Sequence, residues 1–186
     1  MELKLLDFIR VEENVLDENI CKKLIEYFDT HEPLHERVDN DKIPNFTQLN
    51  FTINSKENDE IENLHHYLIS KTFEYRDKYY AHVGRDCFPK EHQFEQFRIK
   101  KYQANTEDQF DTHIDVTDHP SAKRFLSFLW YLNDVQDGGE TEFADILIKP
   151  QCGKLLIFPP LWLFPHKGHI PRSNNKYILS TYLHYK

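Results

Sequence analysis

From residue 92 to the end, apolar residues come in short runs broken by turn residues. "HQFEQFRIKKYQ", "KRFLSFLWYLND", "TEFADILIKP", "GKLLIFPP", "LWLFPHKG" and "KYILSTYLHYK" read as strands, and "DGG", "PQCG" and "RSNN" as the turns between them. The first half reads differently. In "LDENICKKLIEYFDTH", Ile20, Leu24, Ile25 and Phe28 fall on one helical face, with Asp17 or Asn19 placed to cap it. "SKENDEIENLHHYLISKTFEYRDKYY" repeats the pattern through Ile61, Leu64, Leu68, Thr72 and Tyr75, with Ser55 as its expected cap. Residues 1–15 read as extended and "NFTQLNFTIN" as a strand. The polar segments 30–44 and 104–110 read as loops fit to cover a substrate. Helices first and strands later, with no helices between the late strands, exclude a parallel α/β sheet. They predict a mainly β fold, a sandwich or barrel of jelly-roll type with two supporting helices on one sheet.

The length of 186 residues suits one domain, with residues 1–91 as supporting strands and helices and 92–186 as the core. A net charge of −8 argues against a nucleic-acid partner. No apolar run approaches the roughly 18 residues of a membrane span, and the N-terminal residues show no signal-peptide pattern. Cys21, Cys87 and Cys152 form no CxxC pair, which speaks against zinc-finger chemistry and for a reducing, cytoplasmic setting. Of the eleven histidines, most must be surface residues, His65 and His66 among them.

Candidate chemistry begins at "DTHIDV". On a strand His113 and Asp115 point to the same side, either as a solvated pair or as two ligands of a metal. A third ligand would come from His119, His166, His169 or His184. His119 sits in a loop and His184 near a terminus that is expected to fray, whereas His166 and His169 lie among aromatics and prolines. Two imidazoles and a carboxylate suit the facial triad of a non-haem Fe(II) oxygenase, and also suit Zn(II). Lys176 opens a strand on which it shares a face with Ile178, Ser180 and Tyr182. An inward ammonium needs a counter-anion, so a small organic acid that binds both metal and lysine fits both features.

From about residue 94 onward the chain resembles the Fe(II)/2-oxoglutarate dioxygenases, most closely the prolyl 4-hydroxylase-like branch. "HID" matches the H-x-D motif, "FLWYLNDVQDGGETEF" the strand, turn and Gly-Gly-Glu-Thr segment, "IKPQCGKLLIFPP" the following strand pair, and "HKGHIPRSNNKY" the distal histidine with its basic partner. The resemblance implies a double-stranded β-helix with His113, Asp115 and His166 as iron ligands, His169 being the rival for the third place. It implies that Lys176 pairs with the far carboxylate of 2-oxoglutarate, helped by Tyr131, Ser180 and Tyr102, and that Tyr182 lies near the iron. No catalytic side chain beyond the metal ligands is needed. The implied cofactors are Fe(II), 2-oxoglutarate and O2, with room for ascorbate, and the implied reaction is hydroxylation of a C–H bond. Peptidyl proline leads as substrate; a free amino acid, a small metabolite, or a non-catalytic metal- or ligand-binding jelly roll are the alternatives. Ile114 stands where the branch often has an aromatic residue, and Tyr177 where tryptophan is frequent.

Overall fold

The structure is a computed structural model that describes residues 3–39, 44–84 and 88–186. Cys87 and residues 40–43 of the polar segment lie outside the described residues. In chain order, the elements are β1 (Arg10–Glu12), α1 (Glu18–Thr30), β2 (Glu36–Asp39), β3 (Asn45–Asn50), α2 (Phe51–Asn54), α3 (Asp59–Val83), β4 (His92–Phe94), β5 (Arg98–Tyr102), β6 (Phe110–His113), β7 (Arg124–Tyr131), β8 (Thr141–Phe143), β9 (Ile146–Ile148), β10 (Leu155–Phe158), β11 (His166–Gly168) and β12 (Lys176–Tyr185). Two antiparallel sheets face each other. The larger runs β1-β10-β7-β12-β5-β3-β2, with β4 also on β12, and the smaller runs β6-β11-β8-β9. This is the expected jelly roll.

The alternation of side chains across the larger sheet divides the core in two. Ile99, Phe128, Trp130, Leu155, Ile157, Tyr177 and Leu179 project from its outer face against Leu24 and Phe28 of α1 and Leu64 and Leu68 of α3. Tyr102, Tyr131, Leu156, Phe158 and Ile178 project from its inner face toward Phe143 and Ile148 of the smaller sheet. Strands buried on both faces explain why β7, β10 and β12 read as nearly continuous apolar runs rather than alternating ones. Phe28, Leu24 and Trp130 are fully buried, and each such side chain contributes roughly 1.5–3 kcal/mol by leaving water.

The helices are capped by the chemistry of their first residues. Asp17 Oδ1 accepts from Ile20 N at 3.0 Å, as expected for α1. For α3 the cap is Asn58, which accepts from Ile61 N at 3.0 Å, and not Ser55. The cause lies upstream. Asn50 Oδ1 accepts from Ile53 N at 3.1 Å and turns "FTIN" into the short helix α2, which Ser55 closes. So "NFTQLNFTIN" is a strand only as far as Asn50. Residues 5–8 form a 3-10 turn where an extended segment was expected. The segment after α1 is not a loop throughout either, because Glu36–Asp39 pair antiparallel with Asn45–Gln48 as the edge of the larger sheet. Segment 104–110 is pinned: Asp108 accepts from Gln103 N at 2.8 Å and Arg37 Nη2 at 2.6 Å, and Asn105 N donates to Pro171 O at 3.0 Å. His65 is half-buried and bonded to Thr52 Oγ1 at 3.1 Å, whereas its neighbour His66 is exposed. No helix is long and apolar enough to cross a membrane, among the described residues.

Candidate metal and cosubstrate site

Strand register creates the site. His166 of β11 is the direct partner of His113 of β6, and Asp115 follows two residues beyond His113. A ligand atom from each of these three residues lies within 4.8 Å of the others. His113 Nε2 is 3.5 Å from Asp115 Oδ1, and His166 Nε2 is 3.8 Å from Asp115 Oδ2. Each imidazole is also fixed from behind in the same way. His113 Nδ1 donates to the Asp111 carbonyl at 2.7 Å, and His166 Nδ1 to the Phe164 carbonyl at 3.1 Å. A carbonyl can only accept, so the proton sits on Nδ1 in both rings and the Nε2 lone pair faces the centre. The Phe110 ring stacks on His113 and the Phe143 ring on His166.

The electrostatics suit a divalent cation. Burial holds His166 neutral by pushing its pKa down to about 4. Burial alone would raise the Asp115 carboxyl, but its neighbours His113, His166 and Lys100 outweigh it and the net shift is downward. The donor set is two imidazole nitrogens and one carboxylate on one side of the centre, which fits a facial Fe(II) site.

His169 lies apart from this cluster, with Nε2 bonded to Glu142 Oε2 at 2.6 Å. His184 is buried in β12 and bonds Glu95 Oε2 at 2.7 Å, so this end of the chain is a packed strand and not a frayed one. His119 stays in the loop after Asp115.

Across from the triad, on the inner face of the larger sheet, stands Lys176. It is 2% exposed. Its ammonium lies 5.2 Å from the Tyr102 ring centre and 5.6 Å from that of Tyr131, and no acid lies within ion-pair distance of it among the described residues. Burial pushes its pKa down to about 7, with the charge of Glu140 pulling weakly the other way. Tyr102 is its direct partner on β5, and the Tyr131 hydroxyl donates to Thr141 Oγ1 at 2.7 Å. The "DGG" turn shapes this end. Gly139 has φ +75°, and a Cβ there would sit 3.4 Å from the Lys176 Cδ. Ser180 stands opposite Arg98, roughly 13 Å along β12 from Lys176, and lines both the outer cleft and the chamber that reaches Lys176.

Sequence reasoning missed the group that steadies Asp115. Arg124 Nη1 donates to the Asp115 carbonyl at 2.9 Å, while its Nε and Nη2 grip Glu95 at 2.7 Å each. The guanidinium lies 4.2 Å from the Tyr182 ring centre, and the Tyr182 hydroxyl, held neutral by burial, bonds Asp115. It also missed Lys100. Alternation along β5 from Tyr102 was the available signal, since Arg98, Lys100 and Tyr102 share a face. Lys100, Ser180, Tyr182, His113 and Asp115 line both an outer cleft of about 440 Å³ and the inner chamber that reaches Lys176. A roomier groove of about 900 Å³ lies beside α1 at Asp134 and Cys152; the one cluster of three metal-ligating side chains among the described residues is at the smaller cleft.

Residues 97–184 match the 2OG-Fe(II) oxygenase superfamily. No curated protein sequence matches the chain. Among solved structures, the fold is similar to a viral collagen prolyl hydroxylase from Paramecium Bursaria Chlorella virus-1, determined as a 2OG complex, with a TM-score of 0.68, 18% identity and 96% of each chain covered. It is also similar to a prolyl hydroxylase from Trichoplax adhaerens in complex with a hypoxia inducible factor peptide, with a TM-score of 0.75, 14% identity, and 96% of this chain and 84% of that one covered. A Pseudomonas putida prolyl-4-hydroxylase gives a TM-score of 0.71 at 16% identity, covering 96% and 93%. The segment that matches the 2OG-Fe(II) oxygenases carries the triad and Lys176, and the jelly roll around it is the fold of the prolyl hydroxylases.

Proposed function

We propose that this dioxygenase hydroxylates a prolyl residue of a peptide or protein, with Fe(II) held by His113, Asp115 and His166 and the far carboxylate of 2-oxoglutarate held by Lys176. The observation that carries this reading is the pairing of a preorganised two-histidine, one-carboxylate set at the edge of the smaller sheet with a buried ammonium on the larger one that no acid meets among the described residues. An unpaired buried charge is costly, and a ligand carboxylate removes that cost. The prolyl hydroxylases of the same fold, one of them in complex with a peptide, support a prolyl substrate.

The bound iron and 2-oxoglutarate supply O2 activation and C–H hydroxylation, with succinate and CO2 released. The chain's own residues bind and orient. The two Nδ1–carbonyl bonds aim both imidazoles, Arg124 and Tyr182 hold Asp115 from its backbone and its carboxylate, and Phe110, Phe143 and Phe158 keep bulk water from the nitrogen ligands. Tyr102 and Tyr131 flank the Lys176 ammonium and leave it free for an entering carboxylate.

The test is anaerobic addition of Fe(II) and 2-oxoglutarate to metal-free protein while watching for the weak visible charge-transfer band of the chelate. A band that needs both additions and vanishes in Asp115→Ala is the expected result. Succinate release with O2, stimulated by proline-containing peptides, then establishes the substrate unit. Folded, metal-loaded protein with no band would overturn the reading.

A further inference from the structure

Two lysines, not one, enter the cleft, and only Lys176 is used by the chemistry above. Lys100 occupies the middle of β5 on the face that also bears Tyr102, with Gln48 beside it on β3 and Ile178 on β12. It lines both the inner chamber and the outer cleft, alongside His113, Asp115, Ser180 and Tyr182. Its ammonium lies over the Phe46 ring, 5.1 Å from the ring centre. No carboxylate is within ion-pair distance of that ammonium among the described residues.

The charged groups around Lys100 are Asp115, Arg98, Arg124 and Glu95. Glu95 is already held by both nitrogens of Arg124, by Arg98 at 3.3 Å and by His184. Asp115 is the metal-ligand carboxylate of the proposed function, and a dication bound there more than offsets its charge. What remains is a surplus of positive charge between the metal centre and the mouth of the cleft, on a group with free donors. A half-buried ammonium in such a place weakens binding of a neutral or cationic substrate and strengthens that of an anionic one.

We propose that Lys100 is the specificity-determining residue of this cleft and pairs with a carboxylate that the substrate carries beside the carbon to be hydroxylated. The proposal rests on the dioxygenase reading given above. The carboxylate can come from two sources, an acidic side chain next to the target residue of a peptide or the α-carboxylate of a free amino acid or C-terminal residue. Both present the same anion to Lys100.

The test uses the Fe(II)-loaded full chain and measures succinate release above the level with 2-oxoglutarate alone. The probes are N-acetyl-X-Pro-X-amide tripeptides with X as Glu, Gln, Asp or Asn, plus free L-proline against L-prolinamide. Wild type is expected to favour acid members over their amides by roughly ten- to a hundredfold in kcat/KM, the range of a charge-assisted hydrogen bond. The tripeptide and free-proline arms say which source supplies the anion. In Lys100→Met the acid-to-amide ratio falls to about one, and in Lys100→Arg it is largely restored; a thermal melt of each variant reports folding, and the ratio is internal to each variant. Acid and amide probes of equal effect in wild type, including no effect of either, would overturn the proposal. So would an acid preference that survives in Lys100→Met, or a Lys100→Met defect confined to 2-oxoglutarate affinity. Failure of the underlying reading looks different, because wild type would then release no succinate from Fe(II) and 2-oxoglutarate under any condition.

Discussion

His113 and His166 are direct partners across an antiparallel strand pair, with ring centres 4.2 Å apart, and each donates its Nδ1 proton to the carbonyl two residues before it. The donor set is thus built by backbone register before any metal arrives. His166→Ala is expected to weaken Fe(II) binding by more than the roughly hundredfold that loss of a supporting hydrogen bond costs. His169→Ala, which removes only a partner of Glu142, is expected to leave it unchanged. Metal titration with Fe(II) under anaerobic conditions checks both, and the opposite ranking would reassign the third ligand.

Arg124 touches no metal, yet it should matter to metal binding. Its three hydrogen bonds hold Asp115 from the backbone and Glu95 by a two-pronged grip, which a lysine cannot reproduce with a single ammonium. Arg124→Lys is expected to lower Fe(II) affinity by roughly ten- to a hundredfold while the protein keeps its β-sheet circular dichroism. An unchanged affinity would show that Asp115 is positioned without help from this side chain.

Lys176 should oppose stability and support binding. Its folded-state pKa is near 7, below the ordinary lysine value. Between about 7 and that value the unfolded chain holds the extra proton, so this group makes stability rise with pH across the window; below 7 both states are charged and its full destabilisation is present. Lys176→Met is therefore expected to melt higher than wild type at pH 6.5, with the gap narrowing as the pH is raised to 9, and to bind 2-oxoglutarate far more weakly. In wild type, 2-oxoglutarate must be met by a charged lysine, so its Kd should rise by up to tenfold per pH unit above about 7. Calorimetric titration across pH checks this, and a Kd independent of pH in wild type would remove Lys176 from the site.

The turn before β8 offers a structural route to the same lysine. Gly139 is in the left-handed region and packs against the Lys176 Cδ. Gly139→Ala is expected to destabilise the protein by about 1–2 kcal/mol from backbone strain alone and to raise the apparent KM for 2-oxoglutarate by crowding the lysine stem. A thermal melt and steady-state kinetics separate the two effects; a lower melting point with an unaltered KM would confine Gly139 to the turn.

Much of this site could be read from the chain because its chemistry is local in sequence. His113 and Asp115 are two residues apart, and Lys176 opens a strand whose inward face alternates cleanly with its outward one. What escaped notice depends on register or on competition between neighbours. Lys100 and Lys101 look alike in sequence, yet the pairing of β5 with β12 turns the first into the cleft and the second outward to Asp29 at 3.1 Å. Arg124 reaches Asp115 and Glu95 only because the chain folds back on itself. Ser55 lost the helix start to Asn58 because Asn50 had already begun a separate turn. The polar run "ERVD" read as loop because an edge strand buries little, so its side chains carry no apolar signature.

One feature of the architecture bears on how the loaded enzyme holds together. His113 and His166 belong to the smaller sheet and Asp115 to the loop after β6, whereas Lys176 and Tyr102 belong to the larger sheet. A cosubstrate anchored at one end to the metal and at the other to Lys176 is a strut between the two halves of the sandwich. Metal alone ties β6 and β11 to the Asp115 loop, which Arg124 and Tyr182 of the larger sheet hold from the other side. The pair together rivets both halves, so the heat resistance conferred by Fe(II) plus 2-oxoglutarate should exceed the sum of what each confers separately, and the jaws of the jelly roll should breathe least when both are in place.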